Sequence, residues 1–155
     1  MIKKELTKSE AKEKALRLLA FRAHSEHELS EKLKRAGAKD EDLPEILAFV
    51  KEYGFVNDAE YAHHLAKDLQ NIKKYGKKRI FAELKARGIA SEYIEAALSA
   101  LSDEEEDALL PLVSKKLGGN FEQKNIDKAI RYFIYRGYEF GDIKSCIDKI
   151  KQNGE

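Results

Sequence analysis

One pattern limits what this chain can fold into more than any other. Leu33-Lys34-Arg35-Ala36-Gly37, Leu84-Lys85-Ala86-Arg87-Gly88 and Phe133-Ile134-Tyr135-Arg136-Gly137 end alike, and they recur about every 50 residues, within or just beyond the period of helical repeat units. Each segment carries an apolar residue four positions before its glycine. A glycine just past a helix takes a left-handed C′ conformation at little cost, so Gly37, Gly88 and Gly137 read as stops. The competing interpretation is an ordinary helical bundle whose turns happen to look alike.

Apolar residues recur at three and four positions on either side of these stops, as on an amphipathic helix. Leu16 and Leu19 fall in a first helix, Leu29 and Leu33 in a second, Ile46, Phe49 and Val50 in a third. The cycle returns with Leu65, Leu69 and Ile72, then Ile80 and Leu84, then Ile94, Leu98 and Leu101. It returns again with Leu109, Leu112 and Val113, then Ile126, Ile130 and Phe133, then Ile143, Ile147 and Ile150. The reading is all-α, with nine helices in three tandem three-helix units at 1–57, 58–101 and 102–155. A unit this small cannot bury its own stripe, so stacked neighbours complete the core and give an elongated, curved body. Thr7 with Glu10, Ser25 with Glu28 and Ser102 with Glu105 have capping-box spacing and open three of the helices. Pro111 breaks the scheme, since inside a helix from about Asp103 to Leu117 it should kink or divide it. Gly118-Gly119-Asn120 then makes a flexible break.

Charge brings no global pull toward polyanions, because 29 Lys and Arg stand against 28 Asp and Glu. The charged fraction of 37% suits solvent-exposed helices. Recognition must come from local asymmetry. The lone Cys146, set among Ile143, Ile147 and Ile150, reads as a small core residue. No apolar run approaches a membrane span of about 20 residues, and no apolar segment follows the charged N-terminus. A cytoplasmic protein with no membrane partner is the expectation.

Catalytic motifs are missing from the sequence: no glycine-rich phosphate loop, no CxxC pair, no GxSxG elbow. His24, His27, His63 and His64 are the only histidines, and no ligand set surrounds them, so solvated or capping roles are expected for each. The run Asp103-Glu104-Glu105-Glu106-Asp107 lacks the alternation of a calcium loop and suits a first helical turn. A non-enzyme without metal or cofactor is the reading.

The cations carry more information. Glu28 with Lys32 and Glu31 with Arg35 have the favourable i,i+4 order and should neutralise one another. The stretch Lys73-Lys74-Tyr75-Gly76-Lys77-Lys78-Arg79-Ile80 contains no acid, and Lys78 and Lys85 share the face opposite Ile80 and Leu84. Lys124, Lys128, Arg131 and Tyr135 line the face away from Ile126, Ile130 and Phe133, with Asp127 near Arg131. Two unpaired basic stripes with interleaved tyrosines suit an acidic protein groove, phosphates or stacked bases. The bland alternative is a solvated lysine face.

Three longer stretches carry a family resemblance. They are Ala15-Leu16-Arg17-Leu18-Leu19-Ala20-Phe21-Arg22-Ala23-His24-Ser25-Glu26-His27-Glu28-Leu29, Tyr53-Gly54-Phe55-Val56-Asn57-Asp58-Ala59-Glu60-Tyr61-Ala62, and Tyr75-Gly76-Lys77-Lys78-Arg79-Ile80 with Glu83-Leu84 and Arg87-Gly88-Ile89. With Tyr135-Arg136-Gly137-Tyr138 and Asp142-Ile143, this order resembles the RecX family from about Lys12 to about Ile150. The resemblance implies a regulator in DNA repair, recombination and the SOS response. It would act as a monomer that lies along the RecA filament on single-stranded DNA and restrains ATP hydrolysis, strand exchange and co-protease activity. Family members also bind DNA directly, but this chain is near neutral and its last 54 residues are net acidic, which weakens that expectation. Charge and helix face assign RecA or DNA contact to Lys74, Lys77, Lys78, Arg79, Lys85, Arg87, Lys124, Lys128, Arg131, Tyr135 and Arg136. The alternatives are a helical nucleic-acid-binding module acting without RecA and a helical scaffold for other proteins.

Overall fold

The structure, a computed structural model, describes residues 4–102 and 105–154, with the backbone alone at Glu105 and Glu106. Among the described residues every regular element is helical: α1 (Lys8–Phe21), α2 (Glu26–Ala36), a 3-10 turn (Asp40–Asp42), α3 (Leu43–Glu52), α4 (Asp58–Asn71), α5 (Lys77–Ala86), α6 (Ser91–Ser99), α7 (Glu105–Leu117), α8 (Gln123–Tyr135) and α9 (Phe140–Asn153). The all-α reading holds.

Helix starts follow the capping chemistry. Thr7 accepts from the Glu10 amide at 3.1 Å while Glu10 reaches back to the Thr7 amide at 3.0 Å, and Ser25 and Glu28 repeat the exchange at 3.1 Å each way. The third expected pair, Ser102 with Glu105, and the acidic run from Asp103 to Glu106 lie outside the described side chains. Pro111 does not divide its helix, because α7 continues through it to Leu117. All three stops are glycines at positive φ: Gly37 at 109°, Gly88 at 73° and Gly137 at 100°.

The helices divide into two compact bodies. One takes the chain as far as Leu65 with Leu84–Ala97, the other Ala66–Glu83 with Leu98 onward. In the first, Ala11 and Ala15 of α1 pack with Leu29, Leu33, Leu43, Ile46, Val50 and Val56. The small alanines let α1 approach closely, and Leu16 is left partly in solvent. In the second, Leu109, Val113 and Leu117 of α7 pack with Ile126, Ala129 and Phe133 of α8 and Ile143, Cys146 and Ile147 of α9. Cys146 is fully buried there. One expected core residue is displaced: Ile72 is 72% exposed, because α4 ends at Asn71 and the chain turns through Lys74 at φ 59°. No described helix is long and apolar enough to cross a membrane.

Candidate partner-binding surface

Each glycine stop forms a joint with another segment. The Leu6 amide donates to the Gly37 carbonyl at 2.9 Å, and a Cβ on Gly37 would overlap the Lys4 carbonyl oxygen. The Ser25 hydroxyl, already capping α2, donates to the Arg87 carbonyl at 2.6 Å, and a Cβ on Gly88 would overlap the His27 side chain. In the second body the Gly76 amide donates to the Arg136 carbonyl at 2.8 Å and the Lys78 amide to the Gly137 carbonyl at 3.3 Å. A Cβ on Gly76 would meet the Gly137 carbonyl, and one on Gly137 the Arg79 backbone. Two of the resemblance motifs, Tyr75-Gly76-Lys77-Lys78-Arg79 and Tyr135-Arg136-Gly137-Tyr138, are thus the two sides of one joint. The Tyr138 hydroxyl locks it further by donating to the Lys74 carbonyl at 2.7 Å.

Over this joint cations and rings alternate. The Lys116 ammonium lies 4.1 Å from the Tyr132 ring centre, and the Arg136 guanidinium lies 5.4 Å from Tyr132 and 5.0 Å from Tyr75. Arg79 lies 4.8 Å from both Tyr75 and Tyr135. Arg136 donates to the Lys73 carbonyl and Arg79 to the Tyr135 carbonyl at 3.2 Å, so both guanidinium planes are held in place. Arginine pre-positioned in this way offers a planar, charged stacking surface.

The structure brings Lys74, Arg79, Tyr135 and Arg136 together in the second body. It also lines Lys124, Lys128, Arg131 and Tyr135 along the solvent face of α8, with Tyr135 73% exposed. The reading of an unpaired stripe on α5 is corrected. Lys78 pairs with Glu139 at 3.0 Å and Arg79 with Glu83 at 3.1 Å, while Lys77 and Lys85 are also engaged. Lys85 and Arg87 belong to the first body. There Arg87 hydrogen-bonds Tyr61, whose hydroxyl pKa is raised by burial and by its bond to Glu28.

Other pairings differ as well. Glu28 meets Arg22 at 3.3 Å rather than Lys32, and Glu31 meets Lys34 at 3.6 Å. Asp127 accepts from Gln123 at 2.8 Å. His24 is neither solvated nor a cap. It is 2% exposed, with Nδ1 2.9 Å from the Arg22 carbonyl and Nε2 2.8 Å from the Lys32 ammonium. Those partners fix the neutral tautomer protonated at Nδ1, and burial holds its pKa below the usual histidine value. Among the described residues no three His, Cys, Asp or Glu side chains gather as a metal site requires.

Lys115, Lys116, Tyr75 and Tyr132, which the fold places beside these cations, are not singled out by charge and helix face in the sequence. The i,i+4 spacing of Tyr132 and Arg136 was a usable signal; the approach of α7's last turn was not.

Comparison with known proteins places these features. The family model for the RecX first three-helix domain matches residues 11–49, and that for the RecX second three-helix domain matches residues 57–98. The chain is 32% identical over 142 residues to a Regulatory protein RecX of Caldanaerobacter subterraneus subsp. tengcongensis, covering 90% of this chain and 70% of that one. It is 35% identical over 138 residues to a Regulatory protein RecX of Vibrio cholerae serotype O1, covering 88% and 90%. Its fold is similar to the crystal structure of RecX from Lactobacillus salivarius, with a TM-score of 0.81 at 20% identity over 94% of this chain and 97% of that chain.

Proposed function

Because the chain belongs to the RecX family, we propose that it binds RecA filaments formed on single-stranded DNA. It modulates RecA mainly by inhibition of ATP hydrolysis, strand exchange and co-protease activity. In this reading it acts in the cytoplasm as a monomer and catalyses nothing, because occupying the filament groove is enough to exclude other filament ligands. The observation that carries the reading is the exposed row Lys124, Lys128, Arg131 and Tyr135 on α8. A straight row of cations ending in an aromatic suits a long acidic or phosphate-lined groove, and several weak contacts add through effective concentration.

A second reading, a nucleic-acid-binding module that needs no RecA, is favoured by the alternation of Tyr75, Arg79, Tyr135, Arg136 and Tyr132. Such alternation is how proteins stack and neutralise single strands. Co-sedimentation separates the two. The chain should pellet with RecA filaments on single-stranded DNA and pellet poorly with the DNA alone at physiological salt. Equal pelleting with bare DNA, falling steeply as salt rises, would establish the second reading instead.

A further inference from the structure

In the second body the end of α7 and the adjoining face of α8 border a cleft of about 370 Å³, a volume within the range of small-ligand sites. Four of its lining residues are cations, Lys74, Lys115, Lys116 and Arg136. The remaining walls are Leu112, Tyr132 and Phe133, and among the described residues no carboxylate lines it. The α7 dipole accounts for the sign of Lys115 and Lys116, which stand in its last turn. It does not account for Lys74 and Arg136, which converge from two other segments. Like charges gathered in one cleft repel, and a bound anion relieves that repulsion.

The aromatic wall narrows the ligand further. The Arg136 guanidinium is fixed by the Lys73 carbonyl beside Tyr75 and Tyr132, and Tyr132 is 40% exposed, so groups on which a planar ring stacks border the cleft. An inorganic anion would leave Leu112 and the rings uncovered. An apolar ligand would leave the ammonium groups without a counter-charge.

We propose that this cleft binds a nucleoside phosphate, with its base against Tyr132 and Arg136 and its phosphate among Lys74, Lys115 and Lys116. The Lys116 ammonium now rests on the Tyr132 ring, and its flexible stem lets it turn to the phosphate. Three ammonium groups about one phosphate position exceed the single negative charge of a phosphodiester, so the ligand is a free nucleoside polyphosphate and not one nucleotide of a strand. The assignment does not rest on RecA binding, and its test contains no RecA.

Calorimetric titration of the full chain at low ionic strength tests it. The probes are ADP, a 5′-phosphorylated adenine dinucleotide, adenosine and inorganic phosphate. Saturable binding of ADP should be about tenfold or more tighter than that of adenosine, phosphate or the dinucleotide. Binding of the dinucleotide as tight as that of ADP overturns the assignment, because the cleft would then read a strand. Lys115→Gln with Lys116→Gln, and separately Tyr132→Leu, should each weaken binding about tenfold or more. Lys144→Gln, on the solvent side of α9, should leave it unchanged. The two exposed lysines carry the test if Tyr132→Leu disturbs the fold. The proposal is also overturned if ADP does not bind, if phosphate alone binds as tightly as ADP, or if the lysine pair has no effect. Displacement of bound ADP by polyglutamate at the same charge concentration overturns it as well, because charge alone would then be what the cleft reads.

Discussion

Gly137 has a φ of 100° and sits where a Cβ would overlap the Arg79 backbone, whereas Gly118, at φ 59°, has nothing within 4 Å of that position. The two separate conformational cost from steric cost. Gly118→Ala should lose about 1 to 2 kcal/mol. Gly137→Ala adds the displacement of a packed backbone and should lose about 2 to 5 kcal/mol in urea unfolding; equal losses would mean that the joint yields freely. His24 gives a pH signature. Burial lowers its folded pKa below 6.5, so as the pH falls the unfolded chain takes up the proton first. Stability from this group is therefore full above about pH 6.5 and declines below it. Urea midpoints between pH 5 and 7.5 should show that decline, and His24→Gln should flatten it; an unchanged slope would assign the decline to other groups. From sequence, a histidine beside a capping serine gives no sign of burial. Its shielding is a tertiary effect.

The helices themselves were legible because their signals are local: two capping boxes, three glycine stops and apolar residues at helical spacing. Leu84 is fully buried on α5 and Phe133 is 2% exposed on α8, as the stripes implied. Leu84→Ala should cost about 2 to 5 kcal/mol and Phe133→Ala about 3 to 5 kcal/mol. Ile72→Ala should cost no more than about 0.5 kcal/mol, since that side chain stands in solvent. Denaturant midpoints of the three variants check the assignment of faces. Ile72 was misread because periodicity carries on past a helix end that has no glycine to mark it; Lys74 takes the left-handed turn instead. Ion pairs were the least legible feature. Glu83, four residues after Arg79, was in plain view and supplies one pair, but Glu139 reaches Lys78 only through the folded joint.

At the scale of the whole molecule, function depends on which cations stay available after folding has engaged the rest. Lys78 was the natural target from sequence, yet its pairing with Glu139 moves the emphasis to α8. Lys128→Glu with Arg131→Glu should weaken co-sedimentation with RecA filaments several-fold, while surface charge changes of this kind alter stability by about 0.5 kcal/mol or less. The difference from wild type should shrink as salt rises; undiminished inhibition of RecA ATP hydrolysis by the double variant would place the contact elsewhere. The joints at Gly37 and Gly137 bear on how such a surface can change. The bonds from Leu6 to Gly37, from Gly76 to Arg136 and from Lys78 to Gly137 run from main chain to main chain, and at the second joint Tyr138, Arg79 and Arg136 add side-chain bonds to them. A main-chain bond holds whatever side chain its residue carries, so the outer face of α8 at Lys124, Lys128 and Arg131 can be substituted without loosening the turn that keeps the helix in register.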